Sequence, residues 1–181
     1  VEDLPLDVIT ELRRLLRSYR QRRGIDAATP SGTHALLREV GLLSDHGILK
    51  RAGEILLSPA APTKVTIRHL WRVMPSSDPQ VTEFCSPLLE ALPALRRLIL
   101  ERANQEMVRV QFNTGQESAI PRFPAQAIDE AITNAIIHRD WRTEMPIVID
   151  QSPRIMKVWS PGPLVPGVDE NRLLTTQSVP R

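Results

Sequence analysis

The sequence predicts an α+β fold, in which a helical N-terminal segment precedes antiparallel strands packed on helices. Apolar side chains recur at helical spacing from about Pro5 to Arg23. Apolar and polar residues alternate from Lys64 to Val73, as in a strand with one buried face. Two short apolar runs at 146–150 and 155–159 flank a turn of Gln-Ser-Pro-Arg and predict a hairpin. The chain therefore combines a helical first part with a sheet-forming second part.

The N-terminal part predicts three helices. The first ends near Gly24, the second runs from His34 to Val40, and the third lies near Arg51 to Leu57. A short strand or turn begins at Ile48 before the third helix. This order is reminiscent of a winged helix, which makes a small DNA-binding or docking module one functional hypothesis.

Arginines crowd the first helix and admit two interpretations. One is a face that contacts nucleic-acid phosphates. The other, which we favour, is a solvated helix whose arginines pair with carboxylates elsewhere. The residues concerned are Arg13, Arg14, Arg17, Arg20, Arg22 and Arg23.

A proline-bearing stretch at 58–63 is the predicted boundary between a helical linker segment, residues 1–63, and a second unit, residues 64–181. The strand that follows points Val65 and Ile67 inward, together with Leu70 or Trp71.

The second unit continues with a helix from Pro87 to about Asn104, in which Pro93 predicts a kink or a break. A strand from Met107 to Phe112 leads into a loop at 113–118. A helix that begins at Pro124 then carries the most informative pattern in the chain.

Composition excludes several classes of protein. The 181 residues are 41% hydrophobic and 24% charged, which is ordinary for a globular chain. A single cysteine, Cys85, rules out intrachain disulfides and thiolate metal clusters, and the four scattered histidines do not indicate zinc. No apolar run reaches the roughly 18 residues of a membrane span, and no signal-peptide pattern opens the sequence. We therefore expect no membrane association and a cytoplasmic location.

Three polar residues recur at every fourth position of the Pro124 helix, namely Glu130, Asn134 and His138. At about 100° per residue they lie within an arc of roughly 80°, beside a face of alanines and isoleucines. Such a stripe can activate a water, offer an amide oxygen to Mg²⁺ and orient a phosphate. The alternative is that these residues lie on the rim of the core and have no ligand.

The run Phe123–Trp141, with its core Asn134-Ala-x-x-His138-Arg139-Asp140, resembles the N box of the histidine-kinase-like (GHKL, Bergerat-fold) ATPase module. More narrowly, the chain resembles RecG-like transcriptional regulators, often called ATP-dependent DNA helicase-related, in which this module follows a Schlafen AlbA-type (divergent AAA) domain. Further similar segments occur in the order of that family. They are Leu49–Leu57, Ser86–Glu90, Arg154–Gly162, and Leu164–Gly167 through Ser178–Arg181.

The resemblance implies an ATP-binding regulatory module at 64–181 with a GHKL-like α/β sandwich, and leaves hydrolysis open. It makes Glu130 the candidate base, Asn134 the magnesium ligand, and His138 and Arg139 neighbours of the phosphates. Ser160 and Gly162 fall in the turn that contacts the nucleotide. The implied partners are ATP and Mg²⁺, DNA, and a second copy of the chain. No P-loop pattern occurs, so a helicase motor is not expected in this chain.

Two departures from the resembled pattern support an alternative function. Ser160 stands where that family has Asn and the wider superfamily Asp, and Pro163 replaces a second Gly. The sequence stops at Arg181, where the family continues, so we expect the module to be incomplete at its C-terminal end. The alternative is a catalytically inactive DNA-binding or oligomerisation module without nucleotide.

Overall fold

The computed structural model describes residues 1, 3–58, 64–74, 76–103 and 107–163. These residues form the expected α+β fold, with helices before and between two small sheets. The helices are α1 (Leu6–Arg23), α2 (Thr33–Glu39), α3 (Arg51–Leu57), α4 (Leu88–Ala103) and α5 (Ala125–Ile137). The strands are β1 (Ile67–Trp71), β2 (Gln80–Phe84), β3 (Met107–Gln111), β4 (Glu117–Pro121), β5 (Ile147–Gln151) and β6 (Met156–Trp159).

The four-stranded sheet has the order β2-β1-β5-β6. The outer ladders, β1 with β2 and β5 with β6, are antiparallel as expected. The central ladder is parallel, with Ile67 opposite Ile147, so the sheet is mixed. A parallel pair needs a long connection, and here β2, α4, the β3–β4 hairpin and α5 provide it.

The core of this sheet lies between its inner face and helices α4 and α5. Alternate residues of β1 and β5 are buried, including Ile67 and Ile149. Trp71 rather than Leu70 continues the inward phase of β1, as the two-residue period requires. Leu95 of α4 and Ile128 of α5 are fully buried against these strands. The sheet therefore fixes the orientation of α5.

The N-terminal helices form a second apolar cluster, which contains Val8, Leu36, Leu37 and Leu57. Leu56 of α3 contacts both clusters. A single antiparallel bridge, Leu43 to Leu49, precedes α3 where a short strand or turn was expected. The three predicted helices are confirmed to within a residue or two.

Three of the six arginines of α1 make hydrogen bonds or ion pairs within the fold. Arg13 donates to the carbonyl oxygens of Pro30 and Ser31, and Arg20 donates to that of Ala28. Arg20 also pairs with Glu39, and Arg14 pairs with Glu11. These contacts hold the loop after α1 and favour the solvated, internally paired interpretation of the arginine-rich helix.

Helix α4 continues through Pro93, so of the two outcomes expected there the break does not occur. Pro93 is exposed, and the burial of Leu95 and Ile99 further along the helix offsets the one lost backbone hydrogen bond. The expected loop at 113–118 ends early, because β4 pairs with β3 from Glu117 onward.

Among the described helices, none is both long and apolar enough to cross a bilayer. The predicted boundary stretch, apart from Ser58, lies outside the described residues, as do the family-like segments at 164–167 and 178–181.

Candidate functional site

Helix α5 has one face packed on the sheet. It begins after Pro124, whose φ of −58° suits a helix start and whose missing N–H is not needed there. Ile128, Ile132 and Ala135 are buried in the core. Because buried positions repeat with the helical period, the opposite side of α5 remains free for polar side chains.

Glu130 and Asn134 both lie on the exposed side of α5, one helical turn apart. Within the described part of the chain, neither side chain makes a hydrogen bond or an ion pair. His138 is exposed directly after the helix and donates its backbone N–H to the Asn134 carbonyl at 3.0 Å. The three predicted site residues therefore follow one another along a solvent-facing stripe.

The neighbouring carboxylate, Asp129, has a different role. Its two oxygens accept hydrogen bonds from Nε and Nη2 of Arg96 on α4, at 2.5 and 3.0 Å. This bidentate pair joins the two helices at the surface. Asp129 therefore has a structural role, and none is visible for Glu130.

The turn that holds Ser160 and Gly162 packs on the C-terminal end of α5. The Ser160 hydroxyl donates to the Ala135 carbonyl at 2.6 Å. The N–H of Asp140 donates to the Pro161 carbonyl at 2.7 Å. Gly162 has φ of 138°, and a Cβ there would lie 3.1 Å from the backbone nitrogen of Asp140. The structure thus brings Ser160 and Gly162 to the end of α5 that also carries His138.

Arg139 directly follows His138 but points inward, and only 6% of it is exposed. Its guanidinium donates to the Thr66 carbonyl at 3.2 Å and the Met145 carbonyl at 2.8 Å. It also stacks on Trp141, 4.4 Å from the ring centroid. The structure therefore separates Arg139 from the exposed face of Glu130 and Asn134 and places it at the start of β1 and β5.

Asp140 caps the turn that follows. Its carboxylate accepts hydrogen bonds from the side chain of Arg142, at 2.9 Å for each oxygen, and from the Arg142 backbone N–H at 3.0 Å. These bonds, the side-chain bonds first, lower the pKa of Asp140 to about 2. Asp140 thus shapes the turn that orients Trp141.

A cleft of about 200 Å³ lies between α3 and this turn. Arg51, Lys64, Arg139 and Trp141 are among the residues that line it. The sequence pattern did not predict this site, because its residues come from segments far apart in the chain. The one sequence signal for this site was Lys64, which is one of only three lysines and begins the predicted strand.

The stripe on α5 suits magnesium held mainly by nucleotide phosphates. Among the described residues, no three His, Cys, Asp or Glu side chains lie close enough to hold a metal ion together. Mg²⁺ at phosphates keeps several waters and takes only one or two protein oxygens. The exposed amide of Asn134, which has no hydrogen-bond partner among the described residues, meets that requirement, and Glu130 is one turn away.

Comparisons with known proteins show the fold. No protein-family model and no curated protein matches the chain. The chain is similar to the crystal structure of the DIP2311 protein from Corynebacterium diphtheriae, with a TM-score of 0.74 and 21% sequence identity. The match covers 98% of this chain and 34% of that protein. The chain therefore has the fold of about a third of the protein that it matches.

Proposed function

We propose that this chain is the ATP-binding regulatory module of a RecG-like transcriptional regulator, with the exposed face of α5 as its nucleotide site. The observation that supports the proposal is the pair of exposed side chains Glu130 and Asn134, which have no partner among the described residues. The adjacent Asp129 is paired with Arg96. Polar groups that a fold positions but does not use are candidates for ligand contact.

Each residue of the stripe has a defined task in this proposal. Asn134 offers its amide oxygen to Mg²⁺, and Glu130 accepts a proton from a water held near the nucleotide. His138 donates from its ring to a phosphate oxygen. Bound ATP supplies the transferable phosphoryl group, whose charge the metal ion neutralises.

Ser160 is suited to the base end of the nucleotide. Its hydroxyl already donates to the Ala135 carbonyl. A hydroxyl has one proton and two lone pairs, so the oxygen still accepts a hydrogen bond. An adenine amino group can donate to the Ser160 oxygen. The Ser160 hydroxyl would then act in place of the carboxylate that the wider superfamily has at this position.

Calorimetric titration of ATP into the full chain, with and without Mg²⁺, tests the proposal. Asn134→Ala should weaken binding about tenfold, the loss of roughly one good polar contact. The loss should disappear in EDTA, because Asn134 acts through the metal ion. Glu130→Gln should retain binding and remove any hydrolysis.

The matched control is Thr133→Ala, an exposed polar residue one position away that faces α4 instead of the stripe. It should bind ATP like the wild type. Equal affinities for wild type and Asn134→Ala in Mg²⁺ would refute the role of Asn134. Absence of ATP binding by the wild type would refute the proposed function.

A groove of about 350 Å³ between α4 and α5 favours a second candidate function, an oligomerisation module without nucleotide. Leu92, Ile132 and Ile136 line it with apolar surface, and Arg96 and Asp129 lie at its edge. Light scattering over a concentration series would detect self-association. In that case Ile136→Lys should give monomers, and ATP should have no effect on any variant.

A further inference from the structure

The cleft between α3 and the turn after α5 is a second candidate binding site. Trp141 and Arg139, whose guanidinium stacks on the Trp141 ring, are among the residues that line it. Arg51 stands at its edge and donates to the Trp141 carbonyl at 3.3 Å, which joins α3 to the turn. Four hydroxyl side chains also line the cleft. They are Ser58, Thr66, Ser86 and Thr143.

Arg139 is a buried cation that makes no ion pair with any described carboxylate. Its described partners are two carbonyl oxygens and the Trp141 ring, and its Nε has no hydrogen-bond partner. Burial lowers the pKa of Arg139, which reflects the loss of hydration around the charged group. A buried charge is stabilised when an opposite charge approaches it through low-dielectric surroundings. Arg139 therefore favours an anion in the cleft that it lines.

Positively charged side chains outnumber negatively charged ones among the described residues that line the cleft. Among the described residues that line the cleft, Arg51, Lys64 and Arg139 are accompanied by one carboxylate, Glu54, which lies 2.9 Å from Arg51. Lys64 makes no hydrogen bond or ion pair within the described part of the chain. Lys64 and Arg139, neither of which pairs with a described carboxylate, thus line the same cleft.

We propose that this cleft binds the phosphate group of a small phosphorylated compound, at a site separate from the α5 stripe. Arginine, lysine and several hydroxyls around a compact space suit a tetrahedral anion with many acceptor oxygens. The volume of about 200 Å³ lies below the roughly 300–1,000 Å³ of pockets for drug-sized ligands. The site is therefore too small for a whole nucleotide and does not depend on ATP binding.

Titration of the ¹⁵N-labelled full chain with inorganic phosphate at constant ionic strength tests this proposal. Trp141 lines the cleft, and its indole N–H, which donates to the Ile136 carbonyl at 3.1 Å, supplies a reporter signal. Trp71 and Trp159 supply internal reference signals, and Trp141→Phe assigns the reporter. We expect the Trp141 signal alone to shift and to saturate, with acetate producing a weaker response than phosphate.

Lys64→Gln should weaken phosphate binding about tenfold, because it removes one charged contact. The matched control is Lys157→Gln, which removes the same charge from the exposed side of β6 and should leave binding unchanged. Equal weakening by both substitutions would overturn the proposal, since it would indicate a general charge effect. A Trp141 signal that does not respond to phosphate, or that responds more strongly to acetate, would overturn it as well.

Discussion

His69 and Gln151, on the neighbouring parallel strands β1 and β5, share a buried hydrogen bond of 2.8 Å between His69 Nε2 and Gln151 Oε1. Gln151 Nε2 donates in turn to the Ile99 carbonyl of α4 at 3.0 Å. Since that carbonyl only accepts, Oε1 must face the ring, and His69 Nε2 carries the proton. This chain of bonds joins the sheet to α4 through the core.

The buried position of His69 makes stability depend on pH. Burial is the main cause that lowers the pKa of His69 below its ordinary value of 6.5. The unfolded chain therefore binds a proton at a higher pH than the folded chain. The stabilising contribution is fully present above 6.5 and falls as the pH decreases below it, by at most about 1.4 kcal/mol per pH unit.

His69→Gln isolates this contribution, because an amide nitrogen can replace Nε2 without titrating. We expect urea unfolding of the wild type to show a steeper loss of stability below 6.5 than unfolding of the variant. Gln151→Leu, which leaves His69 and the Ile99 carbonyl unpaired, should cost about 1–3 kcal/mol. Parallel pH profiles for wild type and His69→Gln would contradict the prediction.

Gly162 should not tolerate a side chain. Its φ of 138° is a conformation that L residues rarely adopt, and a Cβ would lie 3.1 Å from the Asp140 backbone nitrogen. That nitrogen is held by the Pro161 carbonyl at 2.7 Å and has little room to move. We expect Gly162→Ala to lower the free energy of unfolding by about 1–3 kcal/mol.

The control for this substitution is Gly115→Ala in the β3–β4 hairpin. Gly115 also has a positive φ, of 80°, but a Cβ there would meet no atom within 4 Å. Gly115→Ala therefore measures the cost of the backbone conformation alone, without a steric contact of the added Cβ. If the two variants are equally destabilised in chemical denaturation, the close approach of Gly162 to Asp140 contributes nothing.

Local patterns account for much of this fold. The amphipathic period predicted α1 and the exposed side of α5, because both depend on residues within a few turns. The parallel pairing of Ile67 with Ile147 was not predictable, since the register of distant strands leaves no local signal. Strand β4 was missed because nearly all its side chains are exposed, which removes the alternation that marks a half-buried strand.

The residues of the candidate site also divide into those that local spacing predicts and those that only tertiary packing places. Helical spacing placed Glu130 and Asn134 on one face, but it could not predict that Arg139 turns inward once the helix has ended. His69 is in phase with Ile67 and Trp71 in β1, so the alternation of that strand did contain a signal for a buried polar residue. The cleft of Arg51, Lys64 and Arg139 depends on tertiary packing and had no comparable local signal.

Asp140 and Arg142 should contribute stability that acid removes. The hydrogen bonds from Arg142 lower the pKa of Asp140 from 3.8 to about 2. A lowered carboxyl pKa gives stability that is present above 3.8 and is lost as the pH falls towards about 2. Asp140→Asn should therefore be less stable than the wild type near neutral pH, and the difference should shrink across that interval.

A double-mutant cycle with Arg142→Gln identifies the partner. The two single variants should lose similar stability in urea, and the double variant should lose little more than either one. Simple additivity of the two losses would mean that the residues act independently. A difference between wild type and Asp140→Asn that stays constant down to about pH 2 would exclude the titration of Asp140 as its source.

Glu90 of α4 lies against Asp7 of α1, and this contact should oppose the docking of the two helices near neutral pH. Burial first, and then the charge of Asp7, raise the pKa of Glu90 above 4.5. A raised carboxyl pKa gives stability that is present below 4.5 and is lost as the pH rises through the folded-state pKa. Glu90→Gln should therefore raise the urea midpoint near neutral pH and have little effect below 4.5.

Glu101→Gln, an exposed substitution on the same helix, removes an equal charge away from Asp7 and should leave the midpoint unchanged. An equal gain from both substitutions would assign the effect to net charge and exclude the contact with Asp7 as its cause.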